Sequence, residues 1–106
     1  MAVRLHYDDG VLRAVLSGEI DHHTVQQMRR EIDDAIVRTS PKTLVLDVGR
    51  ITFMDSSGIG LVMGRYRLLS GMGGRIVISG ASGKLEKILR IGGLEKIASF
   101  EKEGKE

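Results

Sequence analysis

A carboxylate and two hydroxyls stand side by side in Phe53-Met54-Asp55-Ser56-Ser57-Gly58-Ile59-Gly60, between an apolar run and a helical pattern. Asp and Ser accept hydrogen bonds from free backbone N–H groups at a helix start, so one of Asp55, Ser56 and Ser57 is expected to cap the helix. A hydroxyl held there is exposed and lies in the positive field of the helix N-terminus. Asp55 and Ser56 could also act as base and nucleophile, but a serine hydrolase needs a histidine base and an oxyanion site. Only His6, His22 and His23 exist. A phosphate cradle fits no better, since Gly58-x-Gly60-x-x-x-Gly64 lacks both the dinucleotide glycine spacing and the Gly-Lys-Ser/Thr of a P-loop.

His22-His23 invites a metal or proton-transfer reading. Residues one apart on a helix do not face each other, and no third ligand is near in sequence, so an exposed or half-buried turn after Asp21 is expected and no metal site is assigned.

The elements that hold these residues follow from periodicity. Val3 to Tyr7 and Val11 to Ser17 read as strands joined at Asp8-Asp9-Gly10, a hairpin signal. Gly18-Glu19-Ile20-Asp21 leads into a helix with Val25, Met28, Ile32, Ala35 and Ile36 on one face. Asp21 or Thr24 is the candidate cap, and Ser40-Pro41 the stop. Thr43 to Val48 is nearly continuous in β-formers, as in a strand covered on both faces. After the Asp-Ser-Ser stretch, Ile59, Val62, Met63, Tyr66, Leu69 and Met72 share one helical face, leaving Arg65 and Arg67 toward water. Gly58, Gly60 and Gly64 each cost about 1 kcal/mol against alanine inside a helix, so close backbone approach by the sheet or a partner is expected to compensate. Gly71 to Gly74 ends that helix, and Arg75 to Ser79 is strand four. Ser82 starts a third helix with Leu85, Ile88 and Leu89 as its stripe, Gly92-Gly93 ends it, and Ile97 to Phe100 is a short last strand. A charged, mobile tail is expected from about 101.

The order β-β-α-β-α-β-α-β predicts a small α/β domain over residues 1–106. It has a mostly parallel sheet of about five strands, an N-terminal hairpin, and helices packed by right-handed crossovers. Function is then expected beyond the carboxyl ends of the strands, where Asp55 and Ser56 fall.

Composition narrows the partners. The net charge is +2 with 4% aromatics, too little charge and too few stacking platforms for a nucleic-acid surface. Between 61 and 93 the cations Arg65, Arg67, Arg75, Lys84, Lys87 and Arg90 face Glu86 alone, which reads as a solvated basic side. There is no cysteine, no apolar run of membrane-spanning length and no signal-peptide core, so a cytoplasmic chain without disulfides or membrane contact is expected. The mixed charge suggests a monomer.

Four segments together resemble the STAS domain of bacterial anti-sigma factor antagonists, and among these the sporulation anti-anti-sigma factors. They are Gly18-Glu19-Ile20-Asp21-His22-His23-Thr24, Phe53 to Gly60, Gly64-Arg65-Tyr66, and Gly93-Leu94-x-Lys96-Ile97. The resemblance implies a switch protein, not an enzyme, with no cofactor of its own. It implies that Ser56, directly after the aspartate, is phosphorylated by a partner anti-sigma factor that is also an ATP-dependent serine kinase. Ser57 is then the neighbouring hydroxyl and not the target. Unphosphorylated antagonist captures the ATP- or ADP-bound kinase and frees sigma, and a PP2C-type phosphatase restores the serine. Asp21, Asp55, Ser56, Ser57, Gly58 and Gly60 make the partner-binding rim. The sequence departs from the family at its C-terminus, stopping short of the usual terminal helix. The implied mechanism is electrostatic: phosphate adds about −1.5 to −2 charges beside Asp55, which weakens docking, while the helix N-terminus stabilises it locally. A STAS-like module phosphorylated by a different kinase, in stress signalling or another partner-switching pathway, is the alternative.

Overall fold

The computed structural model describes residues 2–102. Strands β1 (Val3–Asp8) and β2 (Val11–Ile20) form an antiparallel hairpin closed by Asp9 and Gly10 at φ 51° and 84°. A two-residue turn with both residues left-handed matches the strand twist, and Asp-Gly tolerates that conformation best. Helix α1 (Val25–Thr39) leads to β3 (Thr43–Met54), α2 (Ser56–Ser70) to β4 (Arg75–Ser79), and α3 (Gly83–Ile91) with a 3-10 turn at Leu94–Lys96 to β5 (Ala98–Glu101). The sheet order is β1-β2-β3-β4-β5, parallel from β2 onward. The expected α/β architecture and hairpin are both present. Of the tail expected from 101, Glu101 belongs to β5 and residues 103–106 lie outside the described residues.

One face of the sheet meets all three helices. Leu12, Ala14 and Leu16 of β2, Leu44 and Leu46 of β3, and Ile76 and Ile78 of β4 form one cluster with Met28, Ile32, Ala35 and Ile36 of α1, Leu61, Val62 and Leu69 of α2, and Leu89 of α3. Successive right-handed crossovers in one direction along a sheet put the helices on one side. Val45 and Val77, of the opposite parity, are outside that cluster, and there Arg13 Nη2 meets Asp47 Oδ2 at 3.0 Å.

Two expectations need correction. Strand β3 does not stop at Val48 but continues to Met54, and β2 continues beyond Ser17 to pair with it through Ser17–Arg50, Gly18–Ile51, Glu19–Phe53 and Ile20–Met54. Strand β3 carries one extra residue between Val15–Asp47 and Ser17–Arg50 and another between Gly18–Ile51 and Glu19–Phe53. These bulges replace the period of two by the spacing Val48, Ile51, Met54 toward the core, which hides the strand from a search for alternation.

The second correction is on α2, whose buried positions are Gly58, Leu61, Val62, Arg65 and Leu69. Arg65 is 6% exposed, not turned to water, while Tyr66 and Met72 are exposed. Its Nε lies 2.8 Å from Asp33 Oδ1 on α1, an ion pair without the linear N–H geometry of a hydrogen bond, and Nη1 donates to the Leu61 carbonyl at 3.2 Å. Burial draws the Arg65 pKa below its ordinary value and the Asp33 carboxylate opposes the shift.

Candidate functional site

Strands β2 and β3 end side by side, and that delivers the site. Ile20 is in register with Met54, and the Asp55 N–H donates to the Ile20 carbonyl at 3.1 Å. Asp21 and Asp55 therefore begin the two loops that lead into α1 and α2.

Asp55 is the residue that caps α2. Its backbone is extended, Oδ1 accepts the Ser57 N–H at 2.7 Å, and its carbonyl accepts the Gly58 N–H at 3.0 Å. These bonds satisfy donors that a helix start otherwise leaves unpaired. Ser56 is the first residue of α2 and is exposed, and its hydroxyl makes no hydrogen bond among the described residues. Ser57 is half-buried and lines a depression of ≈ 300 Å³ between α1 and α2, with Arg29, Gly60, Gly64 and Arg67.

Asp21 plays the matching part before α1. Its Oδ1 accepts the N–H groups of His23 and Thr24, each at 2.9 Å, and Thr24 Oγ1 accepts the Asp21 N–H at 3.0 Å. Thr24 Oγ1 also donates to the Glu19 carbonyl at 2.8 Å. This is the reciprocal logic of a capping box, one turn ahead of the regular helix. The Thr24 amide, then that of His23, holds the Asp21 carboxyl below its usual range against some desolvation. Thr24 occupies the N-cap position of α1 without a capping side-chain bond.

His22 and His23 are exposed with ring centroids 4.0 Å apart, tilted by 38°. The expectation that they point apart assumed a helix, and they lie in the turn before it. Among the described residues no three His, Cys, Asp or Glu side chains gather closely enough to hold a metal.

The helix glycines separate into two kinds. A Cβ on Gly58 would lie 2.5 Å from Met54 Sδ and 2.6 Å from its Cγ, so the first turn of α2 sits directly on the last residue of β3. At Gly60 and Gly64 nothing lies within 4 Å. Close approach inside the protein, expected of Gly58 or Gly60, holds at Gly58 only. Sequence reasoning missed Met54 as the support of the α2 start and Asp33 as the partner of Arg65. The conspicuous glycine after Asp-Ser-Ser was the signal for the first, and nothing local signalled the second.

The arrangement presents an uncommitted hydroxyl at a helix N-terminus, on a rim whose two carboxylates are held by backbone amides. No side chain among the described residues accepts the Ser56 proton, so a base and nucleophile pair is not assembled.

The STAS domain family matches residues 2–105. The chain is 37% identical over 97 residues to an anti-sigma F factor antagonist of Paenibacillus polymyxa, covering 92% of this chain and 83% of that one. The structure of the unphosphorylated anti-sigma factor antagonist SpoIIAA superposes with a TM-score of 0.81 at 35% identity, covering 93% of this chain and 87% of that one. The phosphorylated form of the Bacillus cell fate determinant SpoIIAA superposes with a TM-score of 0.73, also at 35% identity, covering 93% and 90%.

Proposed function

The chain belongs to the STAS domain family, and on that premise we propose that it is an anti-sigma factor antagonist switched by phosphorylation of Ser56. The observation that carries this reading is the exposed, unbonded Ser56 hydroxyl at the start of α2, beside the Asp55 cap and at the joined ends of β2 and β3. The relatives' unphosphorylated and phosphorylated forms support it. In the unphosphorylated state the rim binds an anti-sigma factor and releases the sigma factor. The same anti-sigma factor is the serine kinase: the Ser56 oxygen takes the γ-phosphoryl group of ATP, ADP leaves, and the hydroxyl proton goes to solvent or a kinase base. A PP2C-type phosphatase reverses the step by hydrolysis.

The physical reason for switching is charge on a surface that must lose water. Phosphate adds about −1.5 to −2 charges next to Asp55. Within the protein that charge faces the α2 N-terminus, so the fold tolerates it. A docked partner has to desolvate it, and binding weakens.

The test is co-purification from the native host, identification of the bound protein, and incubation of the repurified pair with ATP followed by peptide mapping. Ser56→Ala binds constitutively, and Ser56→Asp binds more weakly by about 1 to 3 kcal/mol in titrations with ADP present. Phosphate mapped to Ser57, or Ser56→Asp binding like the parent, overturns the assignment.

A further inference from the structure

Strand β3 is longer than its neighbour. Its pairing with β4 runs from Thr43–Arg75 to Asp47–Ser79 and stops there, because β4 ends at Ser79 and the chain turns from Gly80, whose N–H donates to the Glu101 carbonyl at 3.0 Å, into α3. From Gly49 to Met54, β3 is paired on its β2 side only. Gly49, Arg50, Thr52 and Phe53 are exposed; the Gly49 N–H donates to Asp47 Oδ1 at 3.0 Å, and from Arg50 onward no backbone–backbone bond among the described residues reaches the other edge. An open strand edge of this kind is a template for another strand.

Beside the open edge lies a cleft of ≈ 360 Å³ between the end of β3 and α3, lined by Ile51, Phe53, Met54, Leu85 and Ile88, with Lys84 at its border. Phe53 is 51% exposed. Neither Arg50 nor Lys84 has an ion-pair partner among the described residues. Ser56 follows Phe53 by three positions, so the phosphorylatable rim starts where the edge ends.

From this juxtaposition we infer that the overhang of β3 is a strand-addition site. An extended segment of the anti-sigma factor pairs with Gly49–Phe53 in the lane that β4 vacates, places an apolar side chain in the cleft, and sets an acidic residue against Lys84 or Arg50. The inference rests on the anti-sigma factor antagonist reading and adds to it where the affinity comes from. The rim itself is acidic and polar, and such groups give specificity more than strength. Main-chain pairing supplies affinity and the cleft supplies selectivity, as in other strand-addition complexes. An exposed aromatic at the centre of such a surface is the residue type that anchors interfaces. The cations select an acidic segment, whereas Asp21 and Asp55 select basic groups on the same partner, and this fixes the docking direction.

The experiment uses the whole chain and the anti-sigma factor that co-purifies with it, repurified and loaded with ADP. Phe53→Ser weakens binding roughly 10- to 30-fold. Lys84→Glu weakens it by about 3- to 10-fold and slows association, as expected of a charge at the edge of an interface. In the complex, hydrogen exchange slows at those amides of Arg50–Phe53 that face away from β2. Protection confined to the edge-facing amides is a readout that side-chain docking alone does not produce. Unfolding midpoints of both variants are measured first, and where one melts early the amide readout on the unsubstituted chain decides. If the partner binds, loses affinity with Ser56→Asp, and yet leaves these amides unprotected and ignores Phe53 and Lys84, the strand-addition site is overturned and the switch stands. If Ser56→Asp also binds like the parent, the switch falls too.

Discussion

The two halves of β3 belong to one strand and obey different rules. From Leu44 to Asp47 the strand is paired on both edges and every residue is buried, at 7% exposure or less. From Gly49 onward it is paired on one edge, carries bulges, and exposes Phe53. The inner half is a packing problem solved with Leu, Val and Leu. The outer half gives up pairing and alternation, and in return its end places Asp55 and Ser56 outside the sheet. Bulges are a common way of re-aiming side chains near functional positions, and here the last of them precedes Met54, on which α2 begins. Folding stability should thus concentrate in the inner half and partner recognition in the outer half.

The largest effect should come from the inner half. Leu46, 0% exposed in the core cluster, replaced by alanine should cost about 2 to 5 kcal/mol in urea unfolding. Phe53→Ser at the outer half should leave the unfolding midpoint nearly unchanged. Equal losses from the two would erase the distinction.

The junction between β3 and α2 comes next. Gly58→Ala must push Met54 aside at its Cγ as well as its terminus, an overpacking change worth about 1 to 3 kcal/mol of destabilisation. Gly60→Ala, where the new methyl meets open space, should stabilise by roughly 0.4 to 1 kcal/mol. Paired thermal melts read both signs at once. Stabilisation by Gly58→Ala would mean that Met54 moves freely and does not support the helix start.

The smallest loss concerns the cap. Asp55→Ala removes the 2.7 Å bond to the Ser57 amide and should cost about 0.5 to 2 kcal/mol, with Asp55→Asn recovering most of it. Because Asp55 also orients the first turn, the alanine variant should slow phosphoryl transfer to Ser56 in single-turnover assays. An unchanged rate would restrict Asp55 to stability.

Much of this was readable from the chain. The Asp9-Gly10 turn, the α1 face of Met28, Ile32, Ala35 and Ile36, and strand β4 at Arg75–Ser79 were each set by short-range rules. The face of α2 was not, because its apolar residues go nearly all the way round: Ile59, Leu61, Val62, Met63, Leu68 and Leu69 leave no single stripe. A helix of that kind takes its orientation from what it packs on, and α2 turned Arg65 inward once Asp33 stood opposite.

The same division runs through the whole protein. Strand and helix order, the hairpin and the cap at Asp55 rest on backbone conformation and on hydrogen bonds between residues two or three apart, so they are written into the sequence locally. The β3 bulges, the burial of Arg65, the union of Asp21 with Asp55 and the unpaired edge beside α3 each need two segments distant in the chain. Their free energies exist only after the sheet has brought those segments together, and only the tertiary structure could decide them.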